Sequence, residues 1–168
     1  DMLTIQEKKG RVKDIRMAYI GDGNNVVNSL IEAAQLTGME LVIACPHGYE
    51  PDKTIFEHAR SNNAKVKVVT NPDEAAKDAD VLYTDVWISM GQEKEVERKK
   101  KKFAGYQINK RLMSLAKPDA IFMHCLPALR GYEQTADVID RKQSVVFDQA
   151  ENRLHMQKAI ILKLLGMV

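Results

Sequence analysis

Cysteine is nearly missing from this 168-residue chain: Cys45 and Cys125 are the only two. That is too few for a disulfide framework, and a reducing compartment is the simpler reading. No apolar run approaches the roughly 18–20 residues needed to cross a bilayer. The start, Asp1-Met2-Leu3-Thr4, lacks the charged-then-apolar pattern of a signal peptide and has no initiator Met at position 1. It reads as a boundary inside a longer protein. Charge excess is small as well: a net +2 does not argue for a nucleic-acid or membrane partner. There is no internal repeat, no low-complexity linker and no sign of a second domain. What is present is ordinary globular composition, 45% hydrophobic and 29% charged, in a length suited to one domain over residues 1–168.

Short apolar runs alternate with helical patterns. The runs at Arg16–Ile20, Leu41–Ala44, Val66–Val69, Val81–Thr84 and Ala120–Met123 read as strands, and Val145–Phe147 as a short sixth. After the first run, Val26, Val27, Leu30, Ile31, Ala34 and Leu36 fall on one helical side, ended by Gly38. A helix is expected from about Lys53 to Asn62, and another capped by Asn71 and opened by Pro72. A polar, helix-rich region runs to Ala116. Strands separated by helices imply parallel pairing. The expected fold is therefore α/β: a doubly wound, Rossmann-like parallel sheet of about five strands in three α/β/α layers. Ligands in such sheets bind beyond the carboxyl ends of the strands.

The last helix is expected to begin near Asp148 and Glu151, which have capping-box spacing. Its apolar residues, from Leu154 to Met167, wrap most of its circumference. That is wider than the stripe of a one-sided surface helix, and it points to a partner surface beyond one small domain.

Four segments carry candidate chemistry. Gly21-Asp22-Gly23-Asn24-Asn25-Val26 begins like a dinucleotide fingerprint, but the third glycine is replaced by Val26 and the second strand ends Ala44-Cys45-Pro46 with no acid for a ribose. A tight turn whose glycines allow positive φ explains it as well, and its asparagines and helix start offer donors to an anion. Asp85-Val86-Trp87-Ile88-Ser89-Met90-Gly91 could hold an ammonium group. It could equally be a capping Asp beside a core Trp. His124-Cys125-Leu126-Pro127 brings a thiol and an imidazole together; the bland reading is a buried Cys and a satisfied core His. Cys45 with His47 and Cys125 with His124 raise zinc, but neighbouring strand residues point to opposite faces. Glu93–Lys102, EKEVERKKKK, reads as a solvated helix face or loop end.

Taken together these motifs resemble the ornithine carbamoyltransferase family, in order over almost the whole chain: the Gly-Asp-Gly-Asn-Asn turn, Asp85 with Ser89-Met90-Gly91, His124-Cys125-Leu126-Pro127, and Glu151-Asn152-Arg153. The Ser-Met-Gly loop and the His-Cys-Leu-Pro segment are the specific ones. The resemblance implies that Asn25 binds the α-carboxylate of L-ornithine. It implies that Asp85 and Ser89 hold the α-ammonium, with Met90 adding backbone contact. Cys125 would assist deprotonation of the δ-amine, Leu126 would offer its carbonyl across a cis bond to Pro127, and His124 would polarise the carbonyl of carbamoyl phosphate. Arg153, with Cys125 and Leu126, would reach that second substrate. No cofactor and no metal are implied.

The family's Ser-Thr-Arg-Thr-Arg and His-Pro-x-Gln segments do not occur in this sequence. The resemblance is therefore to the ornithine-binding half, with the carbamoyl phosphate-binding domain absent from the chain. Inactivity in isolation is expected. The full-length family is a homotrimer of arginine metabolism, cytoplasmic, or in the mitochondrial matrix of an animal. A non-catalytic amino-acid-binding or regulatory module with the same fold is the alternative.

Overall fold

The computed structural model describes residues 1–88 and 96–167. Five strands form one sheet in the order β3-β2-β1-β4-β5, with every neighbouring pair parallel. They are β1 (Arg16–Ile20), β2 (Glu40–Ala44), β3 (Val66–Val69), β4 (Val81–Thr84) and β5 (Ile121–His124). Around them lie α1 (Met2–Lys9), α2 (Asn25–Thr37), α3 (Lys53–Ser61), α4 (Pro72–Ala76), α5 (Val96–Phe103), α6 (Lys110–Leu115), α7 (Ala136–Ile139) and α8 (Val146–Leu164).

Strand alternation divides the core into two layers. Met17, Tyr19, Leu41, Ile43, Val81, Tyr83 and Met123 face one side and pack with residues of α1, α2 and α3. Ala18, Ile20, Val42, Ala44, Leu82 and Phe122 face the other and pack with α4, α6 and α7. The expected doubly wound three-layer fold is the observed one. Burial on both faces is why the runs of β1, β2, β4 and β5 are nearly continuously apolar rather than alternating, whereas the edge strand β3 keeps Lys67 exposed.

The strand order places a topological switch between β1 and β4, because the chain builds outward through β2 and β3 before returning to β4. The register aligns Tyr19 with Tyr83, and Thr84 with His124. The Thr84 hydroxyl donates to the Ile20 carbonyl at 2.6 Å, tying the two central strands at their carboxyl ends. The segments that follow β1, β4 and β5 thus leave the sheet at one edge.

Several local expectations hold. Asn71 caps α4 through the Asp73 N–H, and Gly38 ends α2 at φ 75°. Others do not. Leu36 lies on the outer side of α2 and is 84% exposed. Val145–Phe147 is no sixth strand: Val145 is the N-cap of α8, and only Ser144 forms an isolated bridge to Phe122. The helix therefore starts before Asp148, which pairs with Lys8 of α1 at 2.5 Å instead of capping. The apolar residues of α8 do wrap it, and Phe147, Leu154, Ile160, Ile161, Leu164 and Leu165 are all exposed.

Candidate active site

The turn after β1 is built for close approach. A Cβ on Gly23 would come within 2.3 Å of the Glu50 carbonyl carbon and 2.5 Å of the Pro51 nitrogen. Neither Gly21 nor Gly23 has positive φ, so space and not backbone freedom requires glycine at position 23. The Gly23 N–H donates to the Tyr49 carbonyl and the Asn24 N–H to the Asp22 carbonyl. Those donors are spent within the protein, which removes the pyrophosphate cradle that a dinucleotide site needs.

Asn24 is the N-cap of α2. Its Oδ1 accepts from the N–H groups of Val26 and Val27, and its Nδ2 donates to Asp85 Oδ2 at 2.6 Å. This leaves Asn25, the exposed first residue of α2, as the asparagine facing the neighbouring cleft. Asp85 is buried at the end of β4. Its Oδ1 accepts from the Val86 N–H at 2.7 Å and from the Cys125 thiol at 2.9 Å. Three donors on a carboxylate with about four lone-pair sites leave room for one more. Trp87, as the bland reading had it, is a core anchor stacked on Phe103 at 5.6 Å. Ser89, Met90 and Gly91 lie outside the described residues.

Cys125 is half-buried, one residue beyond β5. Burial first, and then the hydrogen bond and charge of Asp85, push its thiol pKa up. The thiol therefore holds its proton toward Asp85 at neutral pH. His124, expected to polarise a substrate carbonyl, is fully buried with both ring nitrogens in use. Nδ1 accepts from the Leu126 N–H at 2.9 Å, which assigns the ring proton to Nε2, 3.2 Å from Glu133 Oε1. Glu133 Oε1 also accepts from the Leu129 N–H at 2.6 Å. The pair shapes the turn, in which Leu126 sits at φ 55° and its bond to Pro127 is cis. A left-handed leucine is uncommon, and such backbone clusters at functional sites. Glu133 carries no motif of its own. Its place nine residues after His124 becomes meaningful only in three dimensions.

Asp85, His124 and Cys125 bring ligand atoms within 4.8 Å of one another. A metal there would have to displace the Leu126 or Glu133 partner of His124 and the proton that Cys125 gives Asp85. The arrangement is a closed hydrogen-bonded constellation. Cys45 and His47 do not join it: Cys45 is buried, its pKa pushed up to about 12, chiefly by burial, and His47 is exposed near Glu50.

A cleft of about 290 Å³ gathers Asn25, Val26, Ser29, Tyr83, Cys125 and Arg153. Three expected site residues from three separate segments of the chain share it. Gln149 of α8 supports its wall by accepting from the His124 N–H and donating to the Tyr83 hydroxyl.

Residues 13–164 match the family model described as aspartate/ornithine carbamoyltransferase, Asp/Orn binding domain. The chain belongs to this family. Among its carbamoyltransferase relatives, that of Archaeoglobus fulgidus, named ornithine carbamoyltransferase, is 55% identical over 99% of this chain and 54% of the relative. The solved ornithine carbamoyltransferase of Pyrococcus furiosus superposes with a TM-score of 0.89 at 52% identity, over 95% of this chain and 52% of that one. The anabolic ornithine carbamoyltransferase of Campylobacter jejuni superposes with a TM-score of 0.93 at 41% identity, over 100% and 57%. The chain spans about half the length of the curated carbamoyltransferases it matches.

Proposed function

We propose that this chain is the ornithine-binding half of a carbamoyltransferase that moves the carbamoyl group of carbamoyl phosphate to the δ-amine of L-ornithine, giving L-citrulline and phosphate. The observation that carries this is the constellation at the switch point: a buried Asp85 held between Asn24 and Cys125, with Cys125 in turn lining a cleft that it shares with Asn25 and Arg153. The names of the half-length-matched relatives support the substrate.

In this reading Asn25 binds the α-carboxylate, and the remaining lone pair of Asp85 takes the α-ammonium together with Ser89 and Met90. An alkyl ammonium has a pKa near ~10.4 and must lose a proton before it attacks. Cys125, which donates to Asp85, is not that base in the unliganded protein. A cation arriving at Asp85 offsets the charge that holds the thiol proton, so Cys125 can release that proton to solvent and, as the thiolate, take one from the δ-ammonium. The amine then forms a C–N bond to the carbonyl carbon, and the C–O bond to phosphate breaks. The Leu126 carbonyl holds the amine, and Arg153 holds the carbamoyl phosphate. His124 acts through the Leu126 turn. The domain that grips carbamoyl phosphate would come from the other half of a full-length protein, a homotrimer in this reading, and cover the apolar face of α8. The reaction belongs to arginine metabolism, and the reading includes a cytoplasmic location, or the mitochondrial matrix in an animal.

The test is citrulline formation from L-ornithine and carbamoyl phosphate. The chain alone should give none, and a full-length protein containing it should turn over. Robust turnover by the chain alone would contradict the half-site reading.

A further inference from the structure

The lysine run of α5 is not simply a solvated face. Lys99 is buried, its side chain only 4% exposed, and it pairs at 2.5 Å with Asp22, itself 14% exposed. A charge this deep in a helix of otherwise solvated lysines is costly unless its partner is fixed. The partner lies in the turn after β1, three residues before Asn25.

The surroundings make α5 a clasp across the carboxyl edge of the sheet. Lys99 sits 5.8 Å from the centre of the Tyr49 ring, in the segment after β2. Tyr49 packs edge-on against Phe103 of α5 at 4.9 Å, and its carbonyl receives the Gly23 N–H. Phe103 stacks on Trp87, after β4. Lys100 lies 4.9 Å over the ring of Tyr132, in the loop after β5. One helix thus touches four of the five segments that leave this edge, those after β1, β2, β4 and β5. From Asp22 the connection runs on through its carbonyl, which accepts from Tyr19, to Asn24 and then to Asp85.

We propose that Lys99 and Asp22 are positioning residues: their buried ion pair holds the Asp22–Asn25 turn at the spacing from Asp85 that the α-amino-acid end of the substrate requires, and it neutralises a carboxylate that would otherwise repel the substrate's own. The proposal rests on the reading of the cleft as an ornithine site. Neither residue touches substrate in it. Without Lys99, Asp22 is left as an uncompensated anion in the same turn as Asn25, where the α-carboxylate is to bind.

Calorimetric titration of L-ornithine into the 168-residue chain, compared with Lys99→Met and Lys99→Arg, tests this. Lys99→Met should weaken binding roughly tenfold or more, and Lys99→Arg should stay within about threefold, since a cation still reaches Asp22. Unchanged affinity in Lys99→Met, measured where its melting curve shows it folded, overturns the proposal. L-norvaline shares the α-amino-acid end of ornithine and lacks the δ-amine. It should lose affinity by the same factor; a loss confined to ornithine would place the effect at the wrong end of the substrate and overturn the proposal too. If Lys99→Met does not fold, Asp22→Asn with Lys99→Met, which removes both charges of the pair, replaces it: weakened binding supports the pair's geometric role, and wild-type affinity overturns it. A wild-type chain that binds no ornithine overturns the functional reading itself, a result distinct from binding that is indifferent to Lys99.

Discussion

Asp85 is the residue on which the site turns, because it is buried, charged and already accepts from Val86, Asn24 and Cys125. Asp85→Asn removes the charge while keeping the shape. In a full-length protein it should raise the ornithine KM by roughly 10–100-fold, the worth of about 1.5–3 kcal/mol for a hydrogen bond to a charged group, and leave the carbamoyl phosphate KM nearly unchanged. Steady-state kinetics with each substrate varied in turn would show it, and equal losses for both substrates would remove its ammonium-binding role. Cys125→Ser should lower kcat and alter its pH profile while changing the ornithine KM little; an unchanged profile would remove the relay. At this scale the sequence was partly legible. Asp85, Cys125 and Arg153 could be marked because they follow strands or belong to a recognisable segment. Glu133 could not, because its meaning comes from a loop folding back onto His124. Lys99 was hidden in the opposite way: four consecutive lysines look alike in sequence, and only packing shows that one of them points inward.

Elements were more legible than their ends. The strands were readable because most are buried on both faces and so nearly continuously apolar, the edge strand β3 alone carrying an exposed Lys67 within its valines. Val145–Phe147 misled because a helix N-terminus against the core shows the same three apolar letters as a short strand. The last helix illustrates how an element can be fixed on one side and free on the other. Asn152 is buried and donates to Thr4 Oγ1 at 3.0 Å and Glu7 Oε2 at 2.6 Å, docking α8 on α1. Asn152→Ala should cost about 1–3 kcal/mol in chemical denaturation of this chain. Ile161→Lys, on the exposed side, should change its stability by no more than about 0.5 kcal/mol. A large loss from Ile161→Lys would mean that this face already has a partner within the chain.

For the molecule as a whole, the buried Cys45 and half-buried Cys125 thiols set a limit at high pH. The Cys45 pKa is pushed up to about 12 from 9.0 and that of Cys125 is raised as well, in both cases chiefly by burial. An unfolded chain would ionise these thiols first. Their contribution to stability is therefore complete below pH 9.0 and lost as pH rises toward 12. The melting temperature should fall over that window, and Cys45→Ala should flatten the fall; an equal slope with and without Cys45 would contradict this. The claim that most needs testing is that the switch-point cleft holds ornithine. It can be put to an amide NMR titration of the 168-residue chain with L-ornithine and, separately, with L-aspartate. Saturable shifts on adding ornithine, centred on Asn25, Asp85 and Cys125 with little response to aspartate, are expected. No response to ornithine, or an equal response to aspartate at the same residues, would refute it.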